Sequence, residues 1–261
     1  MRQAAPCWRR RFSPLGHWSQ VDRRDVQQAL RAWFGRWGLP EQLRVDNGAP
    51  WGSWGDLPPE LALWVIGLGV AMVWNRPRHS QDNAVIERAH GVCQRWVEPT
   101  ACADSAELQA RLHWATTLQR ERYPAVTGQS RLAAFPALAQ GGAPYDRRHE
   151  AAQGDVRRVW RFLATQQWRR RVDKVGRISL YNRAVPVGRA WAGTTVVVQF
   201  VARAGAPTWV IRADDGTRIA MPPAPELRRS RIRRLTVVHR RRRSPRGGKP
   251  PVRSGGQPYS R

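Results

Sequence analysis

The stretch from residue 39 to residue 97 constrains the fold most, because short apolar runs alternate there with turn signals. One run ends at Val45 and enters an Asp-Asn-Gly turn, which predicts a strand that ends at Asp46. The predicted elements are helix 19–37, strand 43–46, helix 59–68, strand 70–74, helix 82–97 and helix 104–122. Strands that alternate with helices are typical of an α/β layer fold with a mostly parallel sheet.

Asp46 and Glu87 are the acids in this stretch that are best suited to chemistry. Asp46 is expected to project from the tip of its strand, and Glu87 lies one turn into the helix that follows the next strand. Two carboxylates placed in this way can be aimed at one divalent metal ion. Phosphoryl-transfer enzymes that act on nucleic acid hold Mg²⁺ or Mn²⁺ between such hard oxygen ligands.

Several short motifs surround the two acids. They are the run from Leu39-Pro40-Glu41 to Val45-Asp46-Asn47-Gly48, then Gly69-Val70, Asn75-Arg76-Pro77, Gln81-Asp82-Asn83 and Val85-Ile86-Glu87-Arg88. Together they resemble the catalytic core of retroviral integrases and of bacterial insertion-sequence transposases with an Asp-Asp-Glu triad. The resemblance extends over about residues 19–140.

This resemblance implies a ribonuclease H-like fold and the metal-dependent DNA chemistry of a polynucleotidyl transferase. It makes Asp46 the second acid of the triad and Glu87 the third, so that both are catalytic residues and ligands of Mg²⁺ or Mn²⁺. Ala84 stands where the family usually has Gly, which changes little because Ala is a good helix former.

The first acid of the triad has no counterpart in residues 1–18, which contain no acidic side chain. The amphipathic helix at 19–37 resembles the family's first helix, which follows the strand that bears this acid. We therefore expect a partial core without its first strands. We also expect no autonomous strand transfer, because two-metal chemistry needs a carboxylate that bridges both ions. Asp22 and Asp25 are interpreted as acids that favour the first turn of the helix.

The net charge indicates a polyanionic partner. The formal charge is +26, so DNA is the expected partner. Residues 227–261 carry 13 basic side chains and no acidic one. They begin with a possible basic helix from Leu227 to Leu235, and the Gly, Pro and Ser content of the stretch that follows predicts a disordered tail. Of the 45 basic residues in the chain 43 are Arg, which reflects either bidentate phosphate binding or a GC-rich coding bias; both interpretations stay open.

The sequence pattern changes after residue 146. A short helix at 155–168 is expected to lead into an Arg cluster, and four or five β-rich runs follow, with a hairpin turn at Asp214-Asp215-Gly216. These runs resemble the small SH3-like β-barrel behind integrase cores, where it contacts DNA; a role in packing alone is the alternative. Such a barrel is marginal alone and should dock on the core.

Three domains are predicted: a truncated integrase-like core at 1–145, a helix with a small β-barrel at 146–226, and the basic tail at 227–261. Seven arginines in the second and third domains are the candidate DNA-binding residues. They are Arg169, Arg170, Arg171, Arg240, Arg241, Arg242 and Arg243.

Hydropathy and cysteine content predict the setting of the protein. No apolar run approaches eighteen residues, so no membrane span is expected. Three cysteines offer neither pairing parity nor the spacing of a metal finger, which favours a reduced cytoplasmic setting. The resemblance to bacterial transposases implies association with the nucleoid. Active relatives work as multimers, so self-association or pairing with a full-length transposase is expected by analogy.

Other side chains near the two acids have ordinary structural interpretations. His79 and His90 are interpreted as exposed histidines rather than as helpers of a metal ion, and Asp82 as the cap of its helix. Trp51 and Trp54 lie in a loop, where they either stack on bases or pack on the neighbouring sheet.

The sequence therefore leads to one functional hypothesis and two alternatives. The hypothesis is a DNA integration and recombination protein of a mobile element, which binds DNA and in intact form catalyses strand transfer. The first alternative is a non-catalytic DNA-binding remnant of a transposase. The second is a general RNA-binding basic protein, which explains the tail but not the arrangement of Asp46 and Glu87.

Overall fold

A computed structural model describes residues 23–52, 55–79, 81, 84–139, 141–203 and 205–233, which form a mixed α/β structure. Residues 234–261 of the predicted disordered tail, with arginines 240–243, lie outside the described residues, as do Asp22, Trp54 and Asp82. The prediction of disorder is wrong for residues 227–233, which include a short helix (Arg229–Arg233) and bury Leu227 and Ile232 in the main core. No helix within the described ranges is long and apolar enough to cross a membrane.

The first half of the chain builds a small parallel sheet beside a buried helix. Its elements are α1 (Arg23–Trp37), β1 (Gln42–Val45), α2 (Glu60–Gly67) and β2 (Ala71–Trp74). β1 and β2 pair in parallel, with Leu43 opposite Met72 and Val45 opposite Trp74, and α2 forms the crossover. Every residue of α2 is buried, as its nearly continuous apolar sequence predicts.

The predicted bounds of these elements are confirmed to within one or two residues. The helix predicted at 19–37 is described from Arg23 onward, and its buried face carries Val26, Leu30 and Phe34 at a spacing of four. Periodicity located these elements well because each has one apolar stripe or one short apolar run facing a single core.

Two longer helices follow, α3 (Ala84–Val97) and α4 (Ser105–Glu121), and they pack against each other. The α4 helix begins as predicted, because the Asp104 carboxylate accepts hydrogen bonds from the amides of Ala106 and Glu107 at 2.8 Å. The pair has a small apolar cluster of its own, whose buried members are Cys93, Val97 and Ala115.

Residues 141–143, in a stretch rich in Gly and other small residues, pack against the α1–β1 connection. Leu39 and Ala143 exchange two backbone hydrogen bonds of 2.7 and 2.9 Å. Gly38 has φ +74, and a Cβ there would lie 2.7 Å from the carbonyl of Gly142. The two backbones can approach this closely because both positions are glycine.

The second half is rich in strands. Its elements are the short helices α5 (Arg131–Ala134) and α6 (Glu150–Gln153), then α7 (Val156–Ala164), β3 (Gln167–Arg171), β4 (Arg177–Leu180), β5 (Arg183–Pro186), β6 (Thr195–Arg203), β7 (Ala206–Arg212), β8 (Arg218–Ala220) and α8 (Arg229–Arg233). β3, β6, β7 and β8 form an antiparallel sheet in that order, and β4 pairs with β5 in a separate hairpin. The turn predicted at 214–216 is confirmed, since it connects β7 to β8.

Two predictions for this half need correction. The helix expected at 155–168 ends at Ala164, because Trp168 is buried in the sheet as part of β3. The strands that the structure describes form open sheets and no closed barrel. β8 has only three residues and, within the described chain, pairs in a ladder with β7 alone, so it cannot close the sheet.

One hydrophobic core joins the two halves. It extends from α1 and α2 through α7 to the four-stranded sheet and includes Phe34, Phe200 and Trp209 among its fully buried side chains. At the junction the Tyr181 hydroxyl donates a hydrogen bond to the carbonyl of Pro58 at 2.9 Å. The prediction that the strand-rich segment docks on the core is therefore confirmed.

Candidate functional site

Asp46 directly follows β1 at the carboxyl edge of the small parallel sheet, as the sequence predicts. The backbone amide of Asn75 donates to the carbonyl of Val45 at 2.9 Å, and the side-chain amide of Asn47 donates to the carbonyl of Asn75 at 2.7 Å. These bonds tie together the chain segments that leave β1 and β2. Asp46 is exposed beside them, at the edge of a parallel sheet where ligands commonly bind.

Glu87 lies in the first turn of α3 and is also exposed. Within the described chain, neither the Glu87 carboxylate nor the Asp46 carboxylate takes part in an ion pair or a side-chain hydrogen bond. Both groups are thus accessible to an external ligand, and the prediction that they share one metal ion stays a prediction.

The described residues do not assemble a complete metal site. Within these ranges no group of three or more His, Cys, Asp or Glu side chains is placed to hold a metal ion. Structural metal cages and two-metal catalytic sites use more ligands than two carboxylates. The described ranges therefore do not supply the full ligand set of two-metal catalysis, and binding of a single Mg²⁺ or Mn²⁺ ion by Asp46 and Glu87 stays a prediction.

Other side chains near the acids are placed as follows. Asp25 lies exposed in the first turn of α1, as interpreted from the sequence. His79 is exposed, but the expectation for His90 is wrong, because His90 is half-buried and its Nε2 is enclosed. Trp51 is buried in the main core, and its carbonyl accepts a hydrogen bond from the Trp74 indole at 2.9 Å. Of the two alternatives for Trp51, the structure favours packing.

The predicted Arg cluster forms part of β3 and is partly engaged in ion pairs. Arg169 pairs with Asp214 at 2.7 Å, and Arg170 pairs with Asp56 in the first half of the chain. Arg171 is exposed and has no ion pair among the described residues. Arg170 therefore helps to join the two halves, whereas Arg169 and Arg171 lie on the solvent side of the strand.

The register of the sheet brings further arginines onto that solvent side. Arg169 lies opposite Val197, and Val197 lies opposite Arg212. Arg212 lies opposite Arg218 beside a register shift between β7 and β8, and Ile219 next to Arg218 packs on the core, so this row crosses all four strands. Because side chains alternate between the two faces of a strand, further arginines on β3 and β6 share this face. The arginines of this surface, the basic sheet face, are Arg169, Arg171, Arg203, Arg212 and Arg218.

The two faces of the sheet have opposite character. The inner face is apolar and buried, with Trp168, Val198 and Ile211 in one row and Phe200 beside Trp209 in another. None of the four strands contains an acidic residue. Two aspartates lie in the β7–β8 turn, so the basic sheet face is opposed by negative charge at one end only.

Three arginines of the basic sheet face lie outside the cluster predicted from the sequence. Arg203, Arg212 and Arg218 are single basic residues at the ends of predicted strands, and nothing in their local sequence sets them apart. Their shared face depends on strand pairing, which joins positions up to about 50 residues apart along the chain. The alternation of apolar residues in each strand was the signal that could have placed them on the outer side.

A polar cluster around Glu150 fixes α6 against α1 and α2. The Glu150 carboxylate accepts two hydrogen bonds from Arg31 at 2.6 and 2.7 Å, one from the Tyr145 hydroxyl at 2.6 Å and one from the Trp64 indole at 3.2 Å. Burial alone would raise the pKa of Glu150, but these hydrogen bonds and the Arg31 charge outweigh it and lower the pKa. Burial and the neighbouring carboxylate hold the pKa of Tyr145 well above its usual range, so Tyr145 stays a donor.

No protein-family model matches the chain. The resemblance to integrase cores therefore depends on the motifs around Asp46 and Glu87 and on the element order described above.

Proposed function

We propose that the chain is a DNA-binding protein of the Asp-Asp-Glu integrase and transposase class, and that the basic sheet face is its DNA interface. The observation that carries the proposal is the set of five arginines on one face of a sheet whose strands contain no acidic residue. The net charge of +26 is in keeping with the same partner.

The dimensions of the basic sheet face suit a nucleic-acid backbone. Neighbouring strands are separated by about 4.8 Å, so the row from Arg169 to Arg218 spans about 14 Å. A DNA duplex presents a negative charge about every 1.7 Å along its axis, so several phosphates fall within that span. Arg suits this role because its planar fork can donate two hydrogen bonds to one phosphate.

The element order supports the assignment to the class. The family resemblance implies a helix, a strand that ends at an acid, a second helix, a parallel strand and a helix with an acid in its first turn. α1, β1 with Asp46, α2, β2 and α3 with Glu87 follow that order. In this proposal they are the second half of a ribonuclease H-like core, and the strand-rich segment takes the place of the SH3-like module.

Duplex binding by fluorescence anisotropy tests the proposal. The test variant changes all five arginines of the basic sheet face to Gln, and the matched control changes five exposed arginines elsewhere: Arg88, Arg95, Arg122, Arg157 and Arg189. Loss of as few as two charge-assisted hydrogen bonds weakens binding about 100-fold, and the control should lose much less. Equal loss in the two variants would contradict the proposed interface.

For catalysis we propose that Asp46 and Glu87 are the residues of this chain that face the reacting phosphate. Because the described residues supply no third acid beside them, we expect DNA binding without joining of DNA ends. The test is incubation of the purified chain with Mg²⁺ or Mn²⁺, donor ends and a target duplex. Joined products that disappear in Asp46→Asn and Glu87→Gln would show an active enzyme and would refute this expectation.

A further inference from the structure

A cleft of about 210 Å³ lies between α2, α6, α7 and α8, away from the basic sheet face and from Asp46. Three arginines line it: Arg147 and Arg148 just before α6, and Arg229 at the start of α8. All three are exposed, and none forms a side-chain ion pair with the residues that the structure describes. Asp146 lies next to Arg147 and attracts the Arg148 charge, but it does not line the cleft, so three basic groups border one concave site with part of their charge uncompensated.

Two acids also line the cleft, and both are engaged. Glu150 is held by the two hydrogen bonds from Arg31, so its charge is already balanced. Asp155 caps α7, where its carboxylate accepts a hydrogen bond from the amide of Arg157 at 2.9 Å. The three arginines therefore outweigh the one acid whose charge no cation balances, and the cleft favours an anion.

The apolar lining and the small volume of the cleft favour a small anionic group over a whole cofactor. Leu68, Val159 and Ile232 line it as buried apolar side chains, beside the buried ring of Trp64. An apolar lining keeps water away and strengthens charge-assisted hydrogen bonds. Pockets for whole cofactors usually measure about 300–1,000 Å³, so this cleft suits a smaller group, such as a phosphate with part of its sugar.

We propose that the cleft binds a terminal phosphate, that is, a phosphate monoester at the end of a nucleotide or of a nucleic-acid strand. A terminal phosphate carries a charge of about −1.5 to −2 at neutral pH, against −1 for a phosphodiester, which better matches three arginines opposed by one aspartate. A small concave site also accepts a chain end more readily than a backbone that must continue in both directions.

The experiment compares labelled single strands that carry either a 5′-phosphate or a 5′-hydroxyl and are otherwise identical. The wild-type chain should bind the phosphorylated strand about tenfold more tightly, the value expected for one added charge-assisted contact. The variant Arg147→Gln/Arg148→Gln/Arg229→Gln should lose this preference. The preference should persist in the control Arg95→Gln/Arg122→Gln/Arg189→Gln and in the five-arginine variant of the basic sheet face.

Competition identifies the source of the phosphate. Displacement of the phosphorylated strand by a deoxynucleoside 5′-monophosphate would indicate a nucleotide site, whereas displacement only by a short phosphorylated strand would indicate a strand end; both support the proposal. Equal binding of the two strands by the wild-type chain would overturn it, as would a preference that survives in the triple variant.

The control measurements keep this test separate from the proposed DNA interface. Far-UV circular dichroism checks that the triple variant is folded. If the triple variant is not folded, the single variant Arg229→Gln is compared with the wild-type chain for its 5′-phosphate preference. Loss of DNA binding in the sheet-face variant together with an unchanged 5′-phosphate preference would uphold both proposals. Retained DNA binding in that variant would defeat the interface and leave the cleft proposal standing.

Discussion

The basic sheet face and the helix that bears Glu87 pack on hydrophobic cores of very different size. The sheet presents its arginines from strands whose inner side is buried in the main core, where Trp209, Phe200 and Val198 are almost inaccessible to solvent. The α3 helix packs on α4 over a cluster that has three buried members among the side chains the structure describes. The row of arginines is therefore fixed by the large main core and by the strand register, whereas Glu87 is positioned by a small local hydrophobic cluster.

This difference has a consequence for stability. Regions with few buried apolar contacts open at lower free energy than regions that share the main core. We infer that the α3–α4 pair opens before the sheet does, so that Glu87 has more freedom of position than the basic sheet face. The following substitutions test that ranking of the two regions.

The largest effect is expected for Trp209→Ala. Trp209 is fully buried, packs against Trp168 and Phe200 with ring centroids 5.8 and 5.7 Å away, and donates a hydrogen bond to Glu226 at 2.7 Å. Its truncation should lower the free energy of unfolding by about 3–5 kcal/mol. Urea denaturation followed by far-UV circular dichroism measures this.

The matched change in the other region is Val97→Ala. Val97 is also buried, but it lies in the small cluster of the α3–α4 pair, and its truncation should cost about 1–2 kcal/mol. A cost for Val97→Ala as large as that for Trp209→Ala would contradict this ranking of the two regions.

An intermediate effect is expected at the junction of the halves, for Glu150→Gln. The neutral side chain keeps its shape but loses the charge that holds Arg31, at a cost of about 2 kcal/mol at pH 7. Because the pKa of Glu150 is lowered in the folded chain, its contribution is present above the pKa of the unfolded chain and is lost as the pH falls through the folded pKa.

Stability measured from pH 7 down to pH 3 checks this directly. The wild-type chain should lose more stability than the Glu150→Gln variant below about pH 5, so that the two curves approach each other. A constant difference at all pH values would mean that Glu150 contributes through packing alone.

The smallest effect is expected for Trp114→Ala on α4. Trp114 is 54% exposed, and its main aromatic neighbour is Trp96, with ring centroids 6.3 Å apart. The loss should be about 0.5 kcal/mol. A loss above about 2 kcal/mol would show that the α3–α4 pair relies on surface aromatic contacts more than its buried cluster suggests.

The sequence predicted most elements of both regions because their signals are local. The apolar spacing of Val26, Leu30 and Phe34 located α1, and the Asp-Asn-Gly turn located the end of β1. Asp104 located the start of α4, because a side-chain cap acts within three residues of itself.

The prediction failed where distant contacts decide local structure. The sequence pattern does not predict β5 (Arg183–Pro186), because its hairpin turn consists of Tyr181 and Asn182, both with positive φ, and Tyr is an unusual residue for such a turn. Tyr181 is held there by its buried ring near Trp209 and by its hydroxyl on Pro58. The basic sheet face was only partly predicted for a related reason. Its arginines come together only when distant strands pair, and no local pattern in the sequence specifies that pairing.

The salt dependence of DNA binding tests the central claim, that the basic sheet face is the DNA interface, most directly. Affinity for one duplex is measured over a series of salt concentrations for the wild-type chain and for the variant with all five arginines of that face changed to Gln. Each lost phosphate contact reduces the slope of log affinity against log salt by about 0.9, so the loss of five contacts should make the slope smaller by about 4.5. Equal slopes for the two proteins, at equal affinity, would contradict the account.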